Sequence, residues 1–311
     1  MKKVVYTKYG GVEVLHLQEI EKPIPNNLQL LINVKSVSLN PLDWKIFTGE
    51  VKLMSGSKFP KFVGCDFSGV IESVGHNTSN FKKGDEVFGL LDPFKEGVLG
   101  EYILIDEKQV SLKPTQLSFE QASSIPTAGQ TALQMLTKSN ILKGQEVLIN
   151  GASGGVGMFA IQIAKRKGAI VTAVASGKSQ DLLKKWGSDH TIDYNKQNVS
   201  DINRKFDVIL ELSNKLPFSK AKKLMNRKAT YITALPTVPV FINSFFNNLF
   251  SKKKYKFIMM KSNSQDLNIL AEDVLKGMDI HISRTYSLTE YKEAYENFIK
   301  EGAIGKVVFN I

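Results

Sequence analysis

The stretch of sequence that decides the fold spans residues 146–157 and reads EVLINGASGGVG. Its first five residues, EVLIN, are mostly apolar, which is typical of a buried strand. Glycine then occupies four of the next seven positions. Such a turn lets the backbone bend tightly and approach a diphosphate with no Cβ in the way. The pattern is typical of a dinucleotide-binding turn.

An amphipathic helix is predicted directly after this turn. Apolar residues between positions 156 and 164 follow the i, i+3, i+4, i+7, i+8 spacing of a helix with one buried face. Gly168 stands where a left-handed C-terminal cap would end the helix. The start of the helix would offer unpaired N–H groups and a partial positive charge to phosphates. Strand, turn and helix together favour dinucleotide binding over a merely structural glycine turn.

Outward from this motif, the chain divides into two patterns. Before about residue 121, short β-branched segments separated by Gly, Pro and Asn predict an irregular all-β region. From there, strand and helix patterns alternate, which indicates a parallel sheet with crossover helices. Strands are predicted at residues 146–150, 170–175, 189–192, 207–211, 229–234 and 255–260. We therefore predict an α/β protein with a β domain over residues 1–122 and a doubly wound parallel sheet over 123–280. A last strand within 281–311 would return to the β domain.

Composition limits the class of protein. Hydrophobic residues make up 42% and charged residues 23% of the 311 positions, which argues against disorder. Apolar runs end well short of the roughly 18 residues that would span a bilayer, so an integral membrane protein is excluded. The single cysteine, Cys65, cannot form an internal disulfide, and the start at Met1 leads straight into a strand-like run. We expect a soluble cytoplasmic protein.

The net charge of +11 is compatible with nucleic acid, an acidic membrane or a small anionic ligand. The lysines stand in short groups without the interleaved aromatics that stack bases, so we expect solvated helix ends and no nucleic-acid partner. Residues 238–256 place aromatics before a run of lysines. One interpretation is peripheral membrane attachment without stable insertion. The other, which we favour, is a helix of the nucleotide domain whose aromatics cover a cleft or meet a second subunit.

The cofactor type is decided at the end of the second strand of the parallel sheet. An NAD-binding site places Asp or Glu there to accept a hydrogen bond from the ribose 2′-OH. This sequence offers Ser176 and Lys178, and no carboxylate before Asp181. Because a hydroxyl and an ammonium can bind a 2′-phosphate, we predict NADPH. The alternative, that these residues simply open the next helix, leaves the missing acid unexplained.

Further motifs extend along the whole chain. They are NPLD at 40–43, GCDFSGV at 64–70, VG at 74–75, FKKGDEV at 81–87, GQTA at 129–132, IDY at 192–194 and GKVV at 305–308. In this order and spacing, the sequence resembles the zinc-free quinone oxidoreductases related to zeta-crystallin, within the medium-chain dehydrogenase/reductase superfamily. The resemblance implies a GroES-like β domain, completed by the C-terminal strand, and a Rossmann domain. It also leaves open a homodimer through the edge of the Rossmann sheet.

Zinc-dependent members of the superfamily hold a catalytic metal with Cys, His and Cys at positions that match Asn40, Cys65 and Thr127 here. Two of these three ligands are absent, and no four-cysteine structural lobe follows Gly84. We therefore predict no metal and interpret Cys65 as a small packed residue. Without a Lewis acid, ordinary alcohol oxidation is disfavoured.

By the same resemblance, the reaction would be hydride transfer to an acceptor whose electronics already favour reduction. Quinones and α,β-unsaturated carbonyls (enals and enones) have this property, and the protein then supplies mainly orientation. Two alternatives remain open. One is an enoyl-thioester reductase; the other is a non-catalytic protein of the zeta-crystallin type that binds NADPH or RNA.

The resemblance also implies roles for individual residues. Asn40 would lie near the nicotinamide or its ribose. Lys45 would stabilise an enolate oxygen or donate a proton, unless it points to solvent and the proton comes from water. Asp43 completes the catalytic candidates, although we favour a structural hydrogen-bond acceptor over a catalytic base there. The candidate cofactor-binding residues are Asn40, Thr127, Thr131, Gly151, Ser153, Gly154, Gly155, Val156, Gly157, Ser176, Lys178, Tyr194, Ala234, Leu235, Phe257, Met259 and Lys306.

Overall fold

The computed structural model describes residues 1–78, 80–234 and 238–311 of the chain. Its strands are β1 (Lys2–Tyr6), β2 (His16–Glu19), β3 (Gln29–Ser38), β4 (Lys61–Phe62), β5 (Asp66–Val74), β6 (Glu86–Leu90), β7 (Tyr102–Asp106), β8 (Val110–Leu112), β9 (Glu146–Asn150), β10 (Ile170–Ala175), β11 (His190–Asp193), β12 (Phe206–Glu211), β13 (Met225–Thr233), β14 (Lys254–Phe257), β15 (Ile282–Ser287) and β16 (Lys306–Asn310). Its helices are α1 (Pro41–Phe47), α2 (Lys52–Ser55), α3 (Phe119–Ser123), α4 (Pro126–Ser139), α5 (Gly155–Arg166), α6 (Gln180–Lys185), α7 (Phe218–Ala221), α8 (Val238–Phe250), α9 (Ser264–Leu275) and α10 (Tyr291–Glu301).

The glycine-rich stretch lies in a unit formed by residues 128–261. The strands of this unit form one sheet in the order β11-β10-β9-β12-β13-β14, and every neighbouring pair in it is parallel. This is the 3-2-1-4-5-6 order of a doubly wound nucleotide-binding sheet. The α/β fold class predicted from the alternating pattern is therefore confirmed.

Helix α5 forms where its apolar spacing predicted it. Phe159, Ala160, Ile163 and Ala164, four residues of the predicted apolar face, are all buried. All the other residues between 157 and 164 are buried as well, so burial is not confined to one face of the helix. Gly168 has a φ of +76°, which is the left-handed conformation expected just after a helix. The predicted helix and its cap are confirmed, whereas the prediction of a single buried face is wrong, because all residues from 157 to 164 are buried.

For two strands, the predicted end lies beyond the end in the structure. Strand β13 ends at Thr233 and β14 at Phe257, whereas the sequence predicted strands to 234 and 260. The reason is register, because Thr233 pairs with Phe257 as the last step of this ladder. The N–H of Ile258 then donates to the carbonyl of Thr233, and the chain leaves the sheet.

The other unit comprises residues 1–127 and 262–311. It contains a small sheet in the order β2-β1-β4 and a larger mixed sheet in the order β15-β16-β3-β5-β6-β8, with β7 also paired to β3. Strand β16 lies antiparallel to β3, and its residues 306–309 are buried. The predicted return of the last strand to the β domain is confirmed.

The C-terminal segment of this unit is longer than predicted. The predicted segment began at residue 281. Residues 262–280 also belong to the unit, and its first segment ends at residue 127 instead of 122. Helix α9 lies against β8, where the hydroxyl of Ser111 donates to the carbonyl of Ser264 at 3.2 Å. The helical pattern of residues 266–276 gave no signal for this packing, because an amphipathic face does not name the surface it covers.

Candidate functional site

The glycine turn after β9 contains glycines of two kinds. Gly151 has a φ of +88°, which side chains rarely adopt. A Cβ on Gly157 would overlap the backbone carbonyl of Ala152. The fold itself therefore requires both of these glycines.

Gly154 is different, because the fold does not explain it. Its φ of −78° and ψ of 176° are open to any residue. A Cβ there would meet no neighbour closer than the carbonyl oxygen of Gly151 at 3.9 Å. The space beside Gly154 is thus empty, as expected where a ligand approaches the backbone.

Helix α5 begins immediately beyond this space. Gly154 is its N-cap residue, and no side chain caps the first turn. The first N–H groups of a helix have no partner within the helix, and they carry a partial positive charge. Ser153, Gly155 and Val156 are only partly buried, so this end of the helix is accessible. An empty position beside an uncapped helix start fits a diphosphate.

The residues predicted to bind the 2′-phosphate lie at the carboxyl edge of the same sheet. Ala175 and Asp193 form the last pair between β10 and β11. Ser176 and Tyr194 follow these two residues directly, and the N–H of Tyr194 donates to the carbonyl of Ala175 at 3.2 Å. Lys178 stands in the exposed turn after Ser176. The structure therefore brings the three predicted residues to one edge of the sheet.

A carboxylate that the sequence analysis did not consider lies at this edge. Asp193 ends β11, and its Oδ2 would be 2.7 Å from a Cβ placed on Gly177. Its Oδ1 accepts a hydrogen bond from the N–H of Asn195 at 3.0 Å. An acid is expected directly after β10, whereas Asp193 belongs to the neighbouring strand β11. The motif at 192–194 was visible, but only the parallel pairing brings it next to Gly177.

The residues predicted on the nicotinamide side belong to the same unit, with Leu235 outside the described residues. Thr131 is buried in α4, and Ala234 follows β13. Phe257 is the last residue of β14, and its carbonyl accepts a hydrogen bond from the ammonium of Lys138 at 2.9 Å. Met259 is exposed two residues later. Their roles toward the cofactor stay predictions.

The other unit contains a group of polar side chains that is almost entirely buried. We call it the buried polar cluster, and its members are Asn40, Asp43, Cys65, Asp66, Thr127, Tyr295 and Lys306. Asn40 lies between β3 and α1, Asp66 begins β5 and Lys306 begins β16. The three strands are neighbours in one sheet, so the topology brings these residues together. Thr127 is the only member that is not classed as buried.

Asn40 and Asp66 are the centre of this cluster. The amide nitrogen of Asn40 donates to Asp66 Oδ2 at 2.9 Å, and its Oδ1 accepts from the ammonium of Lys306, also at 2.9 Å. Asp66 Oδ1 accepts from the hydroxyl of Thr127 at 2.6 Å and from its N–H at 3.1 Å. Lys306 Nζ lies 3.8 Å from Asp66 Oδ2. The Asn40 side chain is therefore held by both of its ends.

Burial controls the protonation of the cluster. It raises the pKa of Asp43 from 3.8 to about 7, against the opposing hydrogen bond from the N–H of Asn40. It also raises the pKa of Asp66, against the charge of Lys306 and the hydrogen bonds of Thr127. Burial lowers the pKa of Lys306, while Asp66 opposes this shift. The pKa of Asp43 therefore lies close to neutral pH.

Asp43→Asn should change how stability depends on pH. In the wild type, folded Asp43 keeps a proton that the unfolded chain releases above about pH 4, so its contribution is present at low pH and lost as pH rises through about 7. We expect the unfolding free energy of wild type, relative to the variant, to fall by about 2 kcal/mol between pH 5 and 7. Urea unfolding at several pH values measures this. The exposed Asp181→Asn is the control, and parallel pH curves for wild type and Asp43→Asn would contradict the assignment.

The positions that match zinc ligands in related enzymes do not fit zinc here. The Asn40 nitrogen and the Thr127 hydroxyl both donate to Asp66, and the ammonium of Lys306 lies 2.9 Å from the remaining Asn40 oxygen. A dication would meet this positive charge. Burial raises the pKa of the Cys65 thiol, whereas zinc binds the thiolate. Within residues 1–78, 80–234 and 238–311, no three histidine, cysteine, aspartate or glutamate side chains are grouped to hold a metal.

The predicted catalytic residues separate into two groups. Asn40 and Asp43 belong to the buried polar cluster, whereas Lys45 is half-buried on α1 with its Nζ 5.6 Å from the ring centre of Trp44. Lys306, predicted to bind the cofactor, is buried against Asn40. The sequence analysis gave no role to Tyr295, whose hydroxyl lies 3.5 Å from Asp43 Oδ2. Nothing in its local sequence marked it, because it reaches the cluster from α10.

Two protein-family models match the chain. Residues 26–115 match the model described as the alcohol dehydrogenase GroES-like domain. Residues 186–309 match the model described as zinc-binding dehydrogenase. The predicted GroES-like β domain is thereby confirmed.

Individual proteins match most or all of the chain. It is 33% identical over 322 residues to the chloroplastic quinone-oxidoreductase QR1 of Triphysaria versicolor, which covers 99% of this chain and 98% of that protein. It is 36% identical to the chloroplastic NADPH-dependent alkenal/one oxidoreductase of Arabidopsis thaliana, over 78% of this chain and 64% of that protein. The structure of the quinone oxidoreductase from Coxiella burnetii superposes with a TM-score of 0.94 at 30% identity, over 100% of this chain and 99% of that one.

Proposed function

The chain belongs to the zeta-crystallin-like quinone oxidoreductases of the medium-chain dehydrogenase/reductase superfamily, and from this we infer that it is an NADPH-dependent reductase. We propose that its substrates are quinones or α,β-unsaturated carbonyls, because its relatives are named as quinone and alkenal/one oxidoreductases. We propose that the reaction needs no zinc. A cytoplasmic location stays a prediction.

The cofactor would be held by the unit that contains the glycine turn. The empty position at Gly154 and the uncapped start of α5 suit its diphosphate, while Ser176, Lys178 and Tyr194 suit its 2′-phosphate. Bound there, NADPH supplies a hydride to the acceptor. The remaining task of the protein is to orient the acceptor and to deliver a proton.

The observation that carries the substrate class is the donor set of the buried polar cluster. Asn40 and Thr127 donate hydrogen bonds, and Lys306 contributes a positive charge where related enzymes use a metal. A simple alcohol or ketone needs a Lewis acid for hydride transfer, whereas a conjugated acceptor does not. The cluster therefore supports quinone or enone reduction over alcohol oxidation.

Lys45 and Asp43 are proposed to have different roles in the reaction. We propose that Lys45, which is half-buried on α1, stabilises the reduced oxygen or donates the proton. Asp43 acts as a positioning residue, because its carboxylate accepts from the N–H of Asn40 at 2.8 Å and so fixes the start of α1. This role needs no direct contact between Asp43 and the substrate.

Oxidation of NADPH and of NADH, followed by absorbance against a panel of 1,4-quinones, enals, enones and simple ketones, tests the function. We expect turnover of NADPH with the conjugated acceptors only, and unchanged rates when a metal chelator is added. Loss of activity with chelator would contradict the zinc-free assignment. NADPH binding without turnover of any acceptor would instead favour the non-catalytic alternative.

The variant Lys178→Ala sharpens the same experiment. A charged hydrogen-bond donor removed from a phosphate should raise the KM for NADPH about tenfold and leave the KM for NADH unchanged. Lys184→Ala, an exposed lysine one helix further on, is the control. An unchanged KM for NADPH would remove Lys178 from the cofactor site. Equal use of both cofactors by the wild type would point to Asp193 as the ribose ligand.

A further inference from the structure

Helix α8 has its polarity reversed. Apolar residues at positions 242, 245, 246 and 249 follow the i, i+3, i+4, i+7 spacing of a single helix face. In a surface helix such a face normally packs on the core. Here each of these side chains is more than half exposed, and so is Phe250 at the end of the helix. We call these five residues, Ile242, Phe245, Phe246, Leu249 and Phe250, the outer face of α8.

Polar residues share the inner side of this helix with Val240, which packs on the core of the unit. Ser244 is buried, and Asn248 bonds to strand β14 with both ends of its amide: Oδ1 accepts from the N–H of Tyr255 and Nδ2 donates to its carbonyl, each at 2.8 Å. The amide of Asn247 donates to the carbonyl of Lys253 at 2.7 Å. These hydrogen bonds fix which side of α8 faces the sheet. The exposure of the outer face is therefore set by the fold.

The charge of the protein is concentrated around this helix in the sequence. Residues 212–265 contain eleven lysines and arginines and no aspartate or glutamate, which equals the net charge of +11 for the whole chain. The rest of the sequence is balanced, with 30 basic and 30 acidic residues. Lysines 252–254 follow directly on α8. The apolar face and the excess positive charge thus belong to one segment.

The lysines are also close in space. Lys253 donates to the carbonyl of Lys222 at 2.7 Å. Burial, and then the nearby charges of Lys205 and Lys222, lower the pKa of Lys253. Lys256 lies in the same way near Lys138, to whose carbonyl it donates at 2.8 Å. Like charges have been gathered at the end of α8 and β14 without an acidic residue in the segment to balance them.

We propose that the outer face of α8 and the lysines that follow it dock on an anionic lipid bilayer. Exposed aromatics beside a cluster of lysines are the two components of peripheral membrane binding, because the rings enter the interface and the ammonium groups meet acidic headgroups. A second copy of the chain on the same face would set equal positive charges against each other across a two-fold axis. Charge complementarity therefore selects the lipid surface.

The binding is peripheral. Among the helices of the described residues, none is long and apolar enough to cross a bilayer. The outer face is confined to α8, whose 13 residues would lie in the plane of the interface. This inference goes beyond the proposed reaction and does not depend on it, because vesicle binding is measured without substrate or cofactor.

Vesicle flotation with the whole protein tests the proposal. Phosphatidylcholine vesicles are compared with vesicles that also contain about a third phosphatidylserine. We expect the wild type to bind only the anionic vesicles and to be released at high salt. Phe246→Trp should shift its emission to the blue on adding anionic vesicles and not neutral ones. Absence of binding to anionic vesicles, or equal binding to both kinds, would overturn the proposal.

Two pairs of matched variants separate the contributions. Replacing Phe245, Phe246 and Leu249 with serine should weaken vesicle partition at least tenfold. The control replaces Ile24, Leu53 and Leu142 with serine, three apolar residues elsewhere that are at least as exposed. For charge, the double variant K222A/K252A should lose about tenfold or more, and K167A/K184A should not.

Sedimentation of the same variants tests the alternative, in which a second copy of the chain covers the outer face of α8. We expect the triple serine variant to keep the wild-type oligomeric state and thermal melting. A triple serine variant that binds anionic vesicles like the wild type would overturn the proposal. If that variant also loses a dimer that the wild type forms, the outer face belongs to a second copy of the chain.

Discussion

Gly154→Asp should weaken NADPH binding more than a hundredfold without weakening the fold. Aspartate is a better N-cap than glycine, and its charge suits the positive start of α5, so thermal melting should stay the same or rise. The same carboxylate would occupy the empty space beside Gly154 and repel a diphosphate. NADPH titration by calorimetry and a thermal melt measure the two effects separately.

Two control variants complete this experiment. Gly154→Asn fills the same space without charge, so we expect a smaller loss of affinity. Gly157→Ala should instead lower the melting temperature, because its Cβ overlaps the backbone of Ala152. NADPH affinity at the wild-type level in Gly154→Asp would mean that the diphosphate does not lie at this turn.

Lys306→Met should lower the unfolding free energy by about 3 kcal/mol. The ammonium donates to the carbonyl of Leu39 at 3.2 Å and to Asn40 Oδ1 at 2.9 Å, and it lies 3.8 Å from Oδ2 of the fully buried Asp66. Methionine fills a similar volume but leaves a carboxylate and an amide oxygen inside the protein with fewer partners. Urea unfolding at neutral pH measures the loss.

The control is an exposed lysine on the same unit, Lys300→Met, which should change the unfolding free energy by less than about 0.5 kcal/mol. The double variant D66N/K306M removes the stranded charge and should recover part of the loss. Unfolding free energies that are equal for wild type and Lys306→Met would show that the ammonium does not hold the cluster together.

The sequence predicted those features of the fold that depend on neighbouring residues. The glycine turn, α5 and the end of β10 follow from local spacing, and the parallel sheet with crossover helices follows from the alternation of elements. The ends of β13 and β14 could not be predicted, because the pairing of Thr233 with Phe257 is a matter of register between distant segments.

The same distinction between local and distant contacts applies to the candidate site residues. Ser176 was identified because it follows a predictable strand, whereas Tyr194 was identified through the family resemblance. Asp193 was missed as a neighbour of Gly177, and Tyr295 as a neighbour of Asp43, because these contacts join residues from different strands and helices. The presence of helix α8 was predictable from its sequence, but the face that it exposes to solvent was not. Apolar spacing alone would turn the phenylalanines inward, and only the bonds of Asn248 show the reverse.

Those bonds of Asn248 have a further consequence. For the helix to roll about its axis and hide its phenylalanines from water, it would have to break both hydrogen bonds to Tyr255 and bury a bare amide. The outer face of α8 is therefore always exposed, and the helix does not alternate between a covered and an uncovered state. We expect the purified protein to expose this apolar surface at moderate salt without any ligand. Detergent micelles or lipid should therefore improve the solubility of the protein.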